Sequence, residues 1–188
     1  EQEAMLIFDH GPLGFYSTAG HGHADALSLW LHHRGRPIWV DWGTFRYNGS
    51  AEQRDWARST GAHNTILING HNQSEVSGPF NWARRANCRV MSLDLARGSM
   101  EAEHDGYASV RHRRSIQIDS KVIRIVDRLI GEGSADVALR FLLAPNCRVE
   151  GIEDGWRVWV EDILLASFRL KGASLHPMVY QSLETAGP

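Results

Sequence analysis

Short runs of β-branched, aromatic and aliphatic residues, each closed after a few positions by glycine, asparagine, aspartate or proline, recur along the whole chain. A 3.6-residue period is scarce. That combination points to antiparallel strands joined by tight turns rather than to alternating strands and helices. The expected strands are Met5–Phe8, Phe15–Ser17, Ala26–His32, Arg36–Asp41, Asn64–Ile68, Arg89–Leu95, Met100–His104, Ser109–Ile118, Lys121–Leu129, Val137–Leu143, Arg148–Glu150, Trp156–Val160, Ile163–Leu170 and Met178–Tyr180. Asp119-Ser120 and Glu161-Asp162 have the spacing of two-residue hairpin turns. One short helix is expected over Ala51–Arg58, with Ser50 as its cap. The fold class this predicts is all-β, an antiparallel β-sandwich.

With 188 residues and no repeat, low-complexity tract or polar linker, residues 1–188 are read as one contiguous β domain, large enough to bury its own core. A formal net charge of −2 gives no bulk positive field for gripping nucleic acid or an anionic membrane, so no nucleic-acid partner is expected. The apolar run Ile163–Ala166 is far short of the roughly 20 residues a bilayer requires, so no membrane span is expected. Cys88 and Cys147 match neither a disulfide framework nor a zinc clip. The chain opens on Glu1-Gln2-Glu3-Ala4 without an initiator methionine and runs straight into an apolar stretch. It is read as a fragment or processed product.

The chemistry concentrates early. Seven of the ten histidines precede residue 100. The densest block is Gly20-His21-Gly22-His23-Ala24-Asp25, followed by Val40-Asp41-Trp42-Gly43 and Ala62-His63-Asn64-Thr65. Each sits at the edge of an expected strand. Imidazole nitrogen and carboxylate oxygen suit zinc, and His23, Asp41 and His63 offer the three protein ligands of a site with an open fourth position. The blander reading makes the same histidines half-buried residues satisfied by Asp25, Asp41 or backbone. On an extended segment His21 and His23 would face the same side, leaving one imidazole for metal and one for substrate.

These blocks resemble a known family. His21-Gly22-His23-Ala24-Asp25, then Val40-Asp41-Trp42-Gly43-Thr44 through Tyr47, then Arg58 to Thr65 are similar to the C-terminal β domain of heparinase II/III-like polysaccharide lyases, a group that includes alginate and oligo-alginate lyases. The likeness continues through Gly106-Tyr107, His112-Arg113-Arg114, Val126-Asp127-Arg128 and Leu139 to Pro145. It implies a zinc held by His23, Asp41 and His63, with His21 reaching the cleft beside a uronic acid. It also implies an N-terminal (α/α) toroid in the same protein that supplies the main Tyr/His catalytic pair. Without that toroid the chain is expected to be inactive. An acidic polysaccharide is the implied partner, and a periplasmic or secreted setting the implied address.

β-Elimination in a uronic-acid polymer removes the C5 proton, stabilises the charge developing on the carboxylate and protonates the leaving oxygen. In that scheme His21 neutralises charge or moves a proton, while Asn64, Arg58, Tyr47 and Trp42 are the expected substrate-binding residues. Zinc is read as mainly structural. Alternation lets at most half of the basic run Arg111 to Arg114 share one surface, which is expected to be a solvated strand face, and Asn72, Gln73 and Glu75 are expected in a polar loop suited to sugar hydroxyls or water. Two rivals compete. In one, His23-Ala24-Asp25 and His63 form the facial triad of a jelly-roll non-haem iron oxygenase; in the other, the chain is a non-catalytic carbohydrate-binding sandwich.

Overall fold

A computed structural model of the protein describes residues 4–15, 17–44, 50–119, 122–169 and 171. In chain order the elements are β1 (Ala4–Phe8), β2 (Leu29–His33), β3 (Arg36–Trp39), α1 (Ala51–Ala57), β4 (Ile66–Ile68), β5 (Glu75–Gly78), β6 (Asn81–Arg84), β7 (Cys88–Asp94), β8 (Ser99–His104), β9 (Val110–Ile118), β10 (Ile123–Gly131), β11 (Val137–Leu139), β12 (Cys147–Ile152), β13 (Gly155–Val160) and β14 (Ile163–Arg169). They form sheets ordered β1-β2-β3, β10-β9-β8-β7, β11-β4, β12-β13-β14 and β5-β6. Each of these pairings is antiparallel. The all-β expectation therefore holds. The chain divides into two compact units, Glu1–Leu142 and Leu143–Pro188, and the second carries the β12-β13-β14 meander.

Turn chemistry fixes the registers. Arg34 and Gly35 both take positive φ between β2 and β3, the backbone that matches strand twist in a two-residue hairpin. Asn69-Gly70 does the same between Ile68 and His71. Glu161-Asp162 closes β13 on β14 as expected, with Val160 opposite Ile163. Between β9 and β10 the ladder runs one residue further than the Asp119-Ser120 turn predicted: Asp119 N–H donates to the Val122 carbonyl at 3.0 Å. The α1 helix forms where expected, with Ser50 Oγ accepting the Gln53 N–H at 3.5 Å.

Several expected strands are shorter or absent. Phe15 and Ser17 lie in bends and turns, and Ala26 to Ser28, Val40 to Asp41 and Asn64 to Thr65 are loop. In these loops side chains satisfy backbone groups that a ladder would otherwise satisfy: Thr65 Oγ1 reaches the Ala26 carbonyl at 3.2 Å, and the Asn64 amide reaches Leu29 and Val40. The β5-β6 hairpin arises in the segment read as a polar loop, because its alternation is carried by Val76 and Trp82 among polar neighbours. Met178–Tyr180 lies outside the described residues.

The β9 strand corrects the reading of the basic run. Alternation turns His112, Arg114 and Ile116 inward, where they are 0, 0 and 4% exposed, while Arg111 and Arg113 face out. Arg113 donates through Nε to Glu103 Oε2 at 2.8 Å, Arg89 Nε reaches Oε1 of the same carboxylate at 2.8 Å, and the covering guanidiniums leave Glu103 1% exposed. Half of the run is thus core and half a salt-bridged surface. One core cluster joins Ile66, Ile68 and Tyr107, and the Tyr107 hydroxyl donates to the Ile66 carbonyl at 2.6 Å.

Gly106 sits where backbones meet: an added Cβ would lie 2.5 Å from the Gln73 carbonyl oxygen and 2.9 Å from Ala86 Cβ. Gly106→Ala is therefore expected to lower stability by about 1–3 kcal/mol, the range of an overpacked core, as read by urea unfolding. An unchanged midpoint would show that the contact relaxes freely.

Candidate metal centre

Three segments deliver the three expected ligands. His63 follows a 3-10 turn at Thr60–Ala62 and has extended backbone, so its side chain turns inward, 1% exposed. Asp41 leaves the end of β3 in a turn whose Oδ1 accepts the Gly43 N–H at 2.8 Å, a geometry completed by positive φ at Gly43. His23 follows the turn Ala19 to Gly22, closed by Gly22 N–H on the Ala19 carbonyl at 2.9 Å. Among the described residues, His23, Asp41 and His63 are the His, Cys, Asp or Glu group whose donor atoms converge, one from each lying within 4.8 Å of the others. Asp25 is not in this group, and the His-x-Asp facial triad of the iron-oxygenase reading is not assembled.

Polar accounting fits a cation. His63 Nδ1–H donates to Asp41 Oδ2 at 2.6 Å, but its Nε2 is buried with no hydrogen-bond partner. His23 Nε2 lies 3.3 Å from Thr44 Oγ1, and the two imidazole rings are 5.2 Å apart. Ligands bound to zinc at about 2.0–2.1 Å are separated by about 3.3 Å, so donor atoms within 4.8 Å of one another would draw together by up to about 1.5 Å to hold the ion. The donor set of two imidazoles and one carboxylate is one zinc commonly takes.

The charge states of His23 and Asp41 suit a cation, whereas that of His63 favours the proton a metal would have to displace. Burial, helped by the neighbouring His63, lowers His23 to about 4, leaving a neutral imidazole with a free lone pair. Burial alone would lower His63, yet its bond to Asp41 and the charges of Asp25 and Asp41 carry it upward. Burial would raise Asp41, but the His63 bond and charge outweigh it and hold the carboxyl below its ordinary range. Burial pushes the nearby Asp25 up to about 7. The segments are knitted from behind by Gln73, fully buried, whose Nε2 donates to the Ala24 carbonyl at 2.9 Å.

The other expected site residues part company. His21 is exposed and meets Phe80 edge-on at 6.0 Å, whereas His23 is half-buried beside the His63 ring. The turn interrupts the two-residue period that would have put both imidazoles on one side. Asn64 is fully buried and its amide is spent on backbone: Nδ2 donates to the Leu29 and Val40 carbonyls at 2.7 and 2.8 Å, and Oδ1 accepts the Leu142 N–H at 2.5 Å. Arg58, 1% exposed, donates through Nη1 to the Gly78 and Pro79 carbonyls and lies 4.6 Å over the Trp82 ring. Asn64 therefore braces the site from inside, while Arg58 is held by backbone through Nη1 alone, its Nε and Nη2 being buried without a hydrogen-bond partner.

Trp42 is half-buried, edge-on to Trp56 at 5.1 Å, whereas Trp82 is core, donating to the Ala19 carbonyl at 2.9 Å. Tyr47 lies outside the described residues. Asn72 and Gln73 serve backbone, with Asn72 Oδ1 accepting the Thr60 N–H at 3.0 Å and Thr60 Oγ1 accepting the Gln73 N–H at 3.0 Å. The sequence reading missed Gln73 and Arg114 as buried polar anchors, and Asp127 as the half-buried partner of Arg114, because a polar residue in a loop or strand carries no local mark of burial. Cys88 and Cys147 are both free thiols.

An antiparallel β domain presenting a two-histidine, one-carboxylate centre defines the class. Comparison with known proteins gives the family: residues 1–183 match the heparinase II/III-like C-terminal model, and the chain belongs to that family. It is 26% identical over 155 residues to a heparin-sulfate lyase of Bacteroides stercoris, covering 80% of this chain and 21% of that protein. It is 31% identical over 137 residues to an exo-oligoalginate lyase of Saccharophagus degradans, covering 65% of this chain and 18% of that one. The chain thus spans about a fifth of these relatives. The crystal structure of a heparan sulfate lyase from Pedobacter heparinus shares the fold with a TM-score of 0.66 at 20% identity, over 85% of this chain and 24% of that chain.

Proposed function

We propose that this domain is the C-terminal part of a polysaccharide lyase acting on uronic-acid-containing polysaccharide by β-elimination, with zinc held by His23, Asp41 and His63. The observation that carries the reading is the convergence of those donor atoms, with His63 Nε2 buried and unpartnered, inside a family whose similar members bear lyase names. Bound there, zinc supplies cross-linking of three loops, a structural part. The chain's own residues then do the following. The α1 end holds the His23 segment, since the Arg58 carbonyl accepts the Ala24 N–H at 2.9 Å. That leaves His21 exposed on the adjoining turn, where its imidazole can stabilise charge on a uronate or move a proton. Trp42 and, by sequence alone, Tyr47 are the remaining substrate-side residues in this reading.

The main Tyr/His pair belongs to an N-terminal toroid of the same protein, and the isolated domain is inactive. The substrate is acidic, and the setting periplasmic or secreted. Among the described residues no helix is long and apolar enough to cross a membrane.

Two measurements test this. The purified domain is expected to hold about one zinc, and His23→Ala to lose it together with the stabilisation that added zinc gives to thermal unfolding. In the longer protein carrying this domain, His21→Ala is expected to cut formation of the ultraviolet-absorbing unsaturated product at least about a hundredfold, the lower end of what a lost proton-transfer group costs, at unchanged zinc content. A wild-type domain without metal and equally stable in chelator overturns the zinc reading; an unchanged His21→Ala rate overturns the role of His21.

A further inference from the structure

We propose that Arg114, on β9 and remote in sequence from all three ligands, is the positioning residue of the metal centre and sets its affinity. The inference rests on reading His23, Asp41 and His63 as that centre. The Arg114 side chain is 0% exposed. Its Nη1 donates to two carbonyls, Leu27 at 2.7 Å and Asn64 at 2.9 Å. Asn64 directly follows His63. Leu27 closes the loop that begins at His23, and its φ of 63° is a left-handed backbone that a leucine adopts only when its surroundings impose it. One guanidinium therefore pins the two histidine segments to each other. Through the Asn64 side chain the same clamp reaches the Val40 carbonyl, next to Asp41.

The other side of the fork is equally committed. Arg114 Nε and Nη2 donate to Asp127 Oδ1 and Oδ2 at 2.7 and 3.0 Å, so the guanidinium plane has one orientation. Asp127 is oriented in turn by a directed chain. The Gly106 N–H donates to His104 Nδ1 at 3.1 Å, which places the proton of His104 on Nε2. His104 Nε2 then donates to His112 Nδ1 at 3.1 Å, and His112 Nε2 to Asp127 Oδ1 at 2.7 Å. Every polar atom along this line from the β8-β9 hairpin to the histidine loops has a partner. A planar five-donor group at its end is a part that lysine, a point charge with no fork, does not replace.

The test measures metal affinity in the folded domain. Zn2+ and Co2+ dissociation constants, by competition with a chromophoric chelator, and the visible spectrum of the Co2+ form are compared for wild type, Arg114→Lys, Asp127→Asn and the core control Ile116→Val. Both clamp variants are expected to bind about 10–100-fold more weakly, the usual effect of losing an orienting partner, with an altered Co2+ spectrum. Ile116→Val is expected to lower the unfolding midpoint while keeping the wild-type affinity and spectrum. If Arg114→Lys does not fold, Asp127→Asn decides; loss of the fold in both assigns the pair to stability alone and overturns the proposal. Wild-type affinity in the folded clamp variants also overturns it and leaves the metal centre standing. A wild-type domain that takes up neither metal removes the centre itself.

Discussion

Asn64→Ala is expected to cost about 3–5 kcal/mol of folding stability, a large share of the 5–15 kcal/mol typical of a domain. The change strands three buried backbone groups at once, the carbonyls of Leu29 and Val40 and the N–H of Leu142, which the Asn64 amide now satisfies. Each unsatisfied buried group costs about 1–3 kcal/mol, less what water recovers in the space left by the amide. Asn64→Asp tests the chemistry of the same site: the carboxylate still accepts from Leu142 but sets an oxygen against two carbonyls, so it too is expected to destabilise. Urea unfolding of the domain reads both. A side chain that served substrate would leave stability nearly unchanged and alter KM in the longer enzyme; a loss below about 1 kcal/mol would return Asn64 to that role.

Acid is expected to loosen the domain through His104. Burial, the neighbouring His112 and the cations around it lower His104 to about 3, and the Gly106 N–H aimed at its Nδ1 leaves no room for a second proton. A histidine whose folded pKa is depressed contributes stability that is complete above its unfolded value near 6.5. That stability is lost as pH falls from there toward 3, about 1.4 kcal/mol per unit and about 4–5 kcal/mol in all. His112 shifts in the same direction, with burial again the largest cause. Asp127, held far below the carboxylate range against the effect of burial by Arg114 and His112, adds its loss only below its unfolded value of about 3.9. Asp25, raised to about 7, runs the other way between pH 7 and 4.

The clean observable is therefore a difference between proteins. Stability measured from pH 7 to 4 is expected to fall less steeply in His104→Gln than in wild type, by close to one proton's worth of slope. Parallel curves would mean that His104 takes up its proton in the folded state.

How much of this was legible varies with the reach of the interaction involved. The Glu161-Asp162 turn, the Ser50 cap of α1 and the long β9-β10 ladder could be read from residues within a few positions of one another, since hydrogen bonds to near neighbours and period-two alternation carry them. The three proposed ligands were legible only as separate strand-edge blocks and through their family likeness. Their meeting depends on loops held by Gln73, Asn64 and Arg114. The same local reading sent Asn64 and Arg58 to the substrate and, while alternation limited any one surface to half of Arg111 to Arg114, did not show that His112 and Arg114 are buried. A charged or amide side chain looks alike in sequence whether its partner is water or a carbonyl fifty residues away, as the Asn64 oxygen is for Arg114.

By itself the sequence determined that the chain is an antiparallel β protein and which imidazoles and carboxylate are available for a cation, because strand alternation, turn residues and ligand chemistry are properties of short segments. Only the tertiary structure decided that the donor atoms of His23, Asp41 and His63 converge, that His21 faces outward and that Arg114 bonds the backbone of the two histidine segments. Those outcomes depend on burial and long-range hydrogen bonding, where a polar group excluded from water must find its partner wherever the fold has brought one.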